Sequence, residues 1–122
     1  MQQLLFSFEG RANRAKWWGV TIAADIVFVV IAGIATAIFG ANPDGTPSGI
    51  GLVITLIAGV VFIWVALAIA VKRWHDRNKS GWWVLIALIP VVGGIWYLIE
   101  CGFLRGTAGP NQYGADPLAG AA

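Results

Sequence analysis

Residues 50–71 read IGLVITLIAGVVFIWVALAIAV, a run with no charged residue and no proline, and its reading decides the fold. About 20 apolar residues suffice to cross the hydrocarbon core of a bilayer, and in lipid an isolated segment must satisfy its backbone groups internally, as a helix. Two flanking stretches share the character, approximately residues 17–39 and 82–104. The pattern predicts an all-α membrane protein with three transmembrane helices in a single multipass domain over residues 1–122. A turn-rich tail follows at residues 105–122.

Composition points the same way. Of 122 residues, 58% are hydrophobic and 11% charged, against roughly 25% charged in ordinary soluble domains. A net charge of +2, scattered along the chain, lacks the clustered basic face that nucleic acid requires. One cysteine, Cys101, and one histidine, His75, allow no intrachain disulfide and too few ligands for a zinc site in one protomer. No phosphate-binding glycine loop or other cofactor pattern is present. Residues 1–15 show no apolar core ending in a small-residue cleavage site, so no signal peptide is expected there. Trp17, Trp18, Trp74, Trp82 and Trp83 flank the apolar runs, where indole rings suit the headgroup interface.

Basic residues set the orientation. Arg11, Arg14 and Lys16 precede the first run, Lys72, Arg73, Arg77 and Lys79 occupy the second connection, and the connection GANPDGTPSG at 40–49 has none. The N-terminus and the 72–81 loop are therefore expected to be cytoplasmic. In the third run Pro90 and the pair Gly93-Gly94 interrupt the middle. Membrane helices tolerate such residues, so a crossing helix kinked near Pro90 is predicted, with the tail outside. The alternative is a re-entrant hairpin that returns the tail to the cytoplasm.

Asp25 lies about 12 Å beyond Trp17 along the first helix, within the hydrocarbon, where a lone carboxyl is costly. It shares a helical face with Thr21, Ala32 and Thr36, and this face is expected to turn toward other helices, either as a proton or cation site or as a hydrogen-bonded contact. Glu100 is expected to pair with Arg105. His75, Asp76 and Ser80 include the residue types of a nucleophile, a base and an orienting group. On a helix, however, His75 and Asp76 point about 100° apart and cannot readily act on one another. The plainer expectation pairs Asp76 with Lys72 or Arg73, lets Ser80 cap the third helix and sets the basic residues against lipid phosphate. Gly51, Thr55, Gly59, Ala66 and Ala70 give the second helix a smooth face for close packing, within the chain or between copies.

Three segments carry a resemblance. FEGRANRAKWW at 8–18, RWHDRNKSGWW at 73–83 and GTAGPNQYGADP at 106–117 resemble, in order and spacing, the signature stretches of the domain of unknown function 805 family of bacterial inner membrane proteins. The resemblance singles out Gly10, Arg11, Arg14 and Trp18, then Arg73, His75, Asp76, Ser80, Gly81 and Trp82, then Gly106, Thr107, Gly109, Asn111, Tyr113, Gly114, Asp116 and Pro117. Trp74 stands where the family usually has leucine, and Lys72 where arginine is common; both departures suit an interfacial loop. The resemblance implies a multipass protein of the bacterial inner membrane and assigns no activity. Asp76, Asn111 and Asp116 are hard to explain as lipid anchors and suggest that loop and tail form a defined cap, which requires both on one side. The function expected is that of a non-enzymatic membrane component or accessory subunit, in contact with membrane lipids and able to form a homo-oligomer or join a larger complex. An oligomeric transporter or channel using Asp25 is the alternative, ahead of a lipid-headgroup-modifying enzyme using His75 and Asp76.

Overall fold

A computed structural model describes residues 5–118. Helix α1, Arg14–Phe39, starts where Asn13 accepts a hydrogen bond from the Lys16 amide at 2.8 Å, satisfying one of the donors a helix start leaves open. It stops at Gly40, whose φ of +83° lies in the region glycine tolerates. A tight connection, closed by the Asn42 amide on the Thr46 carbonyl at 2.7 Å, leads to α2, Ile50–Asp76. At 26 and 27 residues the two helices are each about 40 Å long. They pair side by side, with Phe28 against Phe62 at 5.3 Å between ring centroids. The smooth face of α2 is used within the chain: a Cβ on Gly51 would meet the Ala35 carbonyl oxygen and Phe39 Cβ at 3.0 Å.

Both helices are long and apolar enough to cross a membrane. Their most apolar 18-residue windows are only 6% and 17% buried within the protein, so they are not the core helices of a soluble fold. Val29, Ile38 and Val60 are 67–69% exposed. Such a surface calls for hydrocarbon around it.

The third apolar run corrects the prediction of a crossing helix. It divides into a 3-10 helix, Gly81–Leu88, and an α-helix, α3, Val92–Gly102, which fold back on one another. Between them Pro90 and Val91 make a γ-turn, closed by the Val92 amide on the Pro90 carbonyl at 2.7 Å, and Val91 is held at φ +64°. Proline withholds the amide a continuous helix needs. Glycine lets the arms close, because a Cβ on Gly93 would stand 1.8 Å from the Ile86 carbonyl oxygen. Each arm is about 16 Å long, roughly half the thickness of a bilayer core. Both arms end beside the start of α1 and the end of α2, and the packed core gathers there around Trp17, Val20, Val65, Ile69, Trp74 and Cys101. Trp17 and Trp74 are thus core residues rather than interfacial anchors.

Candidate functional site

At this end of the molecule the segment before α1, the last turn of α2 and the tail meet on one carboxylate. The last turn of α2 carries Arg73 and Asp76, three residues apart and so on one face. Arg73 Nη1 lies 2.5 Å from Asp76 Oδ2, and Arg11, from the segment before α1, donates from Nε to Asp76 Oδ1 at 2.9 Å. The Arg11, Arg73 and Asp76 side chains are all at most 3% exposed. A buried charge is tolerable only when it is paired and hydrogen-bonded, and the remaining donors show how fully that is met. Arg11 donates to the carbonyls of Gly109 at 2.7 Å, Thr107 at 2.6 Å and Gly114 at 3.2 Å. Arg73 donates to the carbonyls of Cys101 at 2.7 Å, Ala12 at 3.3 Å and Leu104. Each guanidinium thereby ties side chains and backbone from distant parts of the chain into one cap.

The tail is shaped to fit. The Thr107 amide donates to the Asp76 carbonyl at 2.6 Å. A Cβ on Gly106 would fall 1.9 Å from Asp76 Oδ2 and 2.7 Å from the Asp76 carbonyl oxygen, so only glycine allows the approach. Asn111 donates from its side chain to the His75 carbonyl at 2.9 Å and accepts from the Tyr113 amide at 2.8 Å. This sets the Tyr113 ring flat on the His75 imidazole, 3.9 Å between centroids and 3° between planes. His75 Nδ1 is 2.9 Å from the Gly10 carbonyl. Asp116 receives the amides of Leu118 and Gly109, both at 2.9 Å. Those two amides hold its carboxyl below the usual carboxylate range, with help from the charges of Arg11 and Arg105.

Around this centre Arg14 donates to the Phe103 carbonyl at 2.9 Å and the Trp18 indole to the Gly102 carbonyl at 2.8 Å. Gly81 packs on Val71, where a Cβ would lie 2.8 Å from Cγ1. Ser80 caps the 3-10 helix, accepting from the Trp82 amide at 3.3 Å, while Trp82 itself is 79% exposed. Pro117 lies in the last turn of the described tail. A second ionic cluster closes the foot of the hairpin: Glu100 accepts from Lys79 at 2.5 Å, the Trp96 indole at 3.1 Å and Arg77 at 3.3 Å. Arg105 is not its partner; its carbonyl instead accepts from Arg77.

The structure thus brings together nearly every motif residue read from the sequence. The loop's basic residues, expected against lipid phosphate, turn inward. Asp76 does pair with Arg73, as expected, and its second partner is Arg11, 65 residues away. The His75 and Asp76 side chains diverge, His75 meeting Gly10 and Tyr113 and Asp76 meeting Arg11 and Arg73. Asp25 departs from expectation: it is exposed on the outer face of α1 and, among the described residues, has no hydrogen-bond partner. Trp74, which its sequence context suggests as an interfacial residue, is a structural centre of the site, fully buried against Trp83 and Tyr97 at centroid distances of 5.8 and 6.5 Å. With Lys79 placed 4.6 Å over the Trp83 ring, it joins hairpin to cap. Its signal was a cluster of three tryptophans within ten residues of the loop's arginines.

A pair of long apolar helices, a broken hairpin and a buried ionic cap define a small helical membrane protein with a preassembled polar end. The chain belongs to the family described as protein of unknown function (DUF805), whose pattern matches residues 5–115. It is similar to the Escherichia coli inner membrane protein YhaH, 34% identical over 112 residues that cover 90% of this chain and 86% of YhaH. The inner membrane protein YhaI of the same organism is 33% identical over 114 residues, 93% of this chain and 87% of YhaI. YiiR, an uncharacterized E. coli protein, is 29% identical over 148 residues, covering 95% of this chain and 89% of YiiR. No solved structure matches.

Proposed function

We propose that this chain is a non-enzymatic component of the bacterial inner membrane, an accessory subunit or homo-oligomer that presents a rigid cytoplasmic cap. The observation carrying this reading is the Arg11–Asp76–Arg73 cluster, whose charges are buried and spent on joining segments of the chain. His75, the other residue considered for chemistry, is covered by Tyr113 and bonded to Gly10. The names of YhaH and YhaI support the inner membrane. Basic residues in the N-terminal segment and the 72–81 loop support a cytoplasmic cap, and the tail, bonded to both, shares that side. In this topology α1 and α2 cross the membrane and the hairpin of the 3-10 helix and α3 enters from the cytoplasm to mid-depth. Its turn at Pro90 and Val91 exposes irregular backbone, which lipid does not tolerate, so a partner is expected to cover it.

Asp25 supports the same conclusion from another side. A carboxyl on the outer face of a membrane helix is costly unless protein covers it. The face also suits the second reading, an oligomeric transporter or channel in which copies turn Asp25 toward a shared path. Mass measurement after extraction of native membranes in mild detergent tests the first reading. A species larger than the 13.0 kDa chain, by self-association or with a co-purifying protein, is expected, and a bare monomer would contradict it. Proteoliposome ion flux that is present in wild type and lost in Asp25→Asn would favour the second.

A further inference from the structure

On the side of the helix pair away from Asp25 runs an apolar groove of about 590 Å³, open along its length. Its walls are α1, which contributes Gly19 and Ala23, and α2, which contributes Ala58 and Val61; Leu5 and Phe6 lie at its mouth. Small residues on both helices keep it open. The Trp64 indole holds the Phe6 carbonyl at 3.0 Å and so fixes the mouth. From Gly19 to Ile31 the groove runs about 18 Å along α1, close to the roughly 15 Å depth of one leaflet's hydrocarbon. Almost no polar atom lines it, as suits an acyl chain.

Charge complements the groove at one end only. Lys16 lies one helical turn below Val20 on the same face of α1 and is exposed, and its ammonium has no hydrogen-bond or ion-pair partner among the described residues. Lys72, two turns below Val65 on the same face of α2, is buried at 3% exposure, so the exposed charge at this end of the groove is that of Lys16. The Lys16 ammonium therefore stands at the height where a phospholipid whose chain filled the groove would place its phosphate. We infer that the α1–α2 groove is a binding site for an anionic glycerophospholipid of the cytoplasmic leaflet, one acyl chain lying between the helices and the phosphate held at Lys16. The leaflet assignment rests on the topology proposed above; the site itself does not. The groove lies about 140° around α1 from Asp25, so lipid and a protein partner would occupy different faces.

Native mass spectrometry of the full-length protein in detergent, with equal dioleoyl phosphatidylglycerol and phosphatidylcholine, tests the inference. Wild type is expected to retain phosphatidylglycerol about five-fold over phosphatidylcholine, the preference one basic residue gives at an anionic surface. Lys16→Gln, at an exposed position, should abolish the preference while lipid still binds. Ala23→Phe, which fills the groove, should lose both lipids, with protease resistance of the tail showing that the cap still folds. Equal retention by wild type, a preference that survives Lys16→Gln, lipid binding unchanged in Ala23→Phe, or a lipid-free dimer through this face would each overturn it. Detergent has no sidedness, so failure here leaves the topology standing, and failure of the topology leaves the lipid site standing.

Discussion

Replacing Asp76 with asparagine keeps the shape of the cap and removes its only buried carboxylate between two guanidiniums. Arg11 and Arg73, at 1% and 0% side-chain exposure, would remain charged, Arg11 with only the more distant Asp116 carboxylate at 4.0 Å and Arg73 with no ion-pair partner among the described residues. Removing one partner of a buried ion pair destabilises by about 3–5 kcal/mol. The lower end applies, because each arginine keeps three backbone carbonyls, those of Gly109, Thr107 and Gly114 for Arg11 and of Cys101, Ala12 and Leu104 for Arg73. An effect of about 3 kcal/mol on local opening corresponds to roughly a hundred-fold faster exchange of the amides closing the cap. Hydrogen exchange of Thr107 and Gly114 in detergent reads this directly, since their amides bond to the Asp76 and Asn111 carbonyls. Exchange in the middle of α1 and α2 should be unchanged, because those helices do not depend on the cap. Arg11→Gln combined with Asp76→Asn should cost less than the two changes summed, as coupled groups do. Tail exchange in Asp76→Asn within a few-fold of wild type, or additive effects in the double variant, would show that the Arg11–Asp76–Arg73 cluster does not hold the cap closed.

Two further outcomes test other parts of the fold. Gly93→Ala sets a Cβ on the Ile86 carbonyl, so it should open the hairpin and part the Trp83 and Trp96 rings, 6.2 Å apart between centroids, seen as a changed tryptophan emission while helix content is retained. Because the Asp116 carboxyl is held below its ordinary range, its contribution to the tail turn is full above the unfolded value near 3.9 and is lost as pH falls through the lower folded value; limited proteolysis of the tail should be flat from pH 7 to about pH 5 and rise only in stronger acid, and Asp116→Asn should abolish that dependence.

The two long helices were legible because hydrophobic length alone determines them: residues 50–71 need no partner to be read. Asn13 and Ser80 act as caps through local bonds of two or three residues, a range at which sequence speaks plainly. The third run reads as a span because its apolar length is that of one, and the decisive facts are the γ-turn at Val91 and the Gly93 contact with Ile86, neither of which length reports. Pro90 marked the place without telling kink from reversal. Arg11 and Asp76 lie 65 positions apart, and nothing local assigns one to the other; the clue was polar residues in the tail with no role at a lipid surface. The face of Asp25 was assigned from helical periodicity, which groups residues correctly and does not say which neighbour the group meets.

Cysteine accessibility at Ala115 tests whether the N-terminal segment, the 72–81 loop and the tail form one cap on the cytoplasmic side. Ala115 is exposed in the tail and Ala41 in the opposite connection, so each can carry a single engineered cysteine in a Cys101→Ser background. In intact spheroplasts treated with a membrane-impermeant maleimide, Ala41→Cys is expected to be labelled at once and Ala115→Cys only after the membrane is permeabilised. Immediate labelling of Ala115→Cys with protection of Ala41→Cys would reverse the orientation, and immediate labelling of both would place tail and loop on opposite sides and contradict the cap.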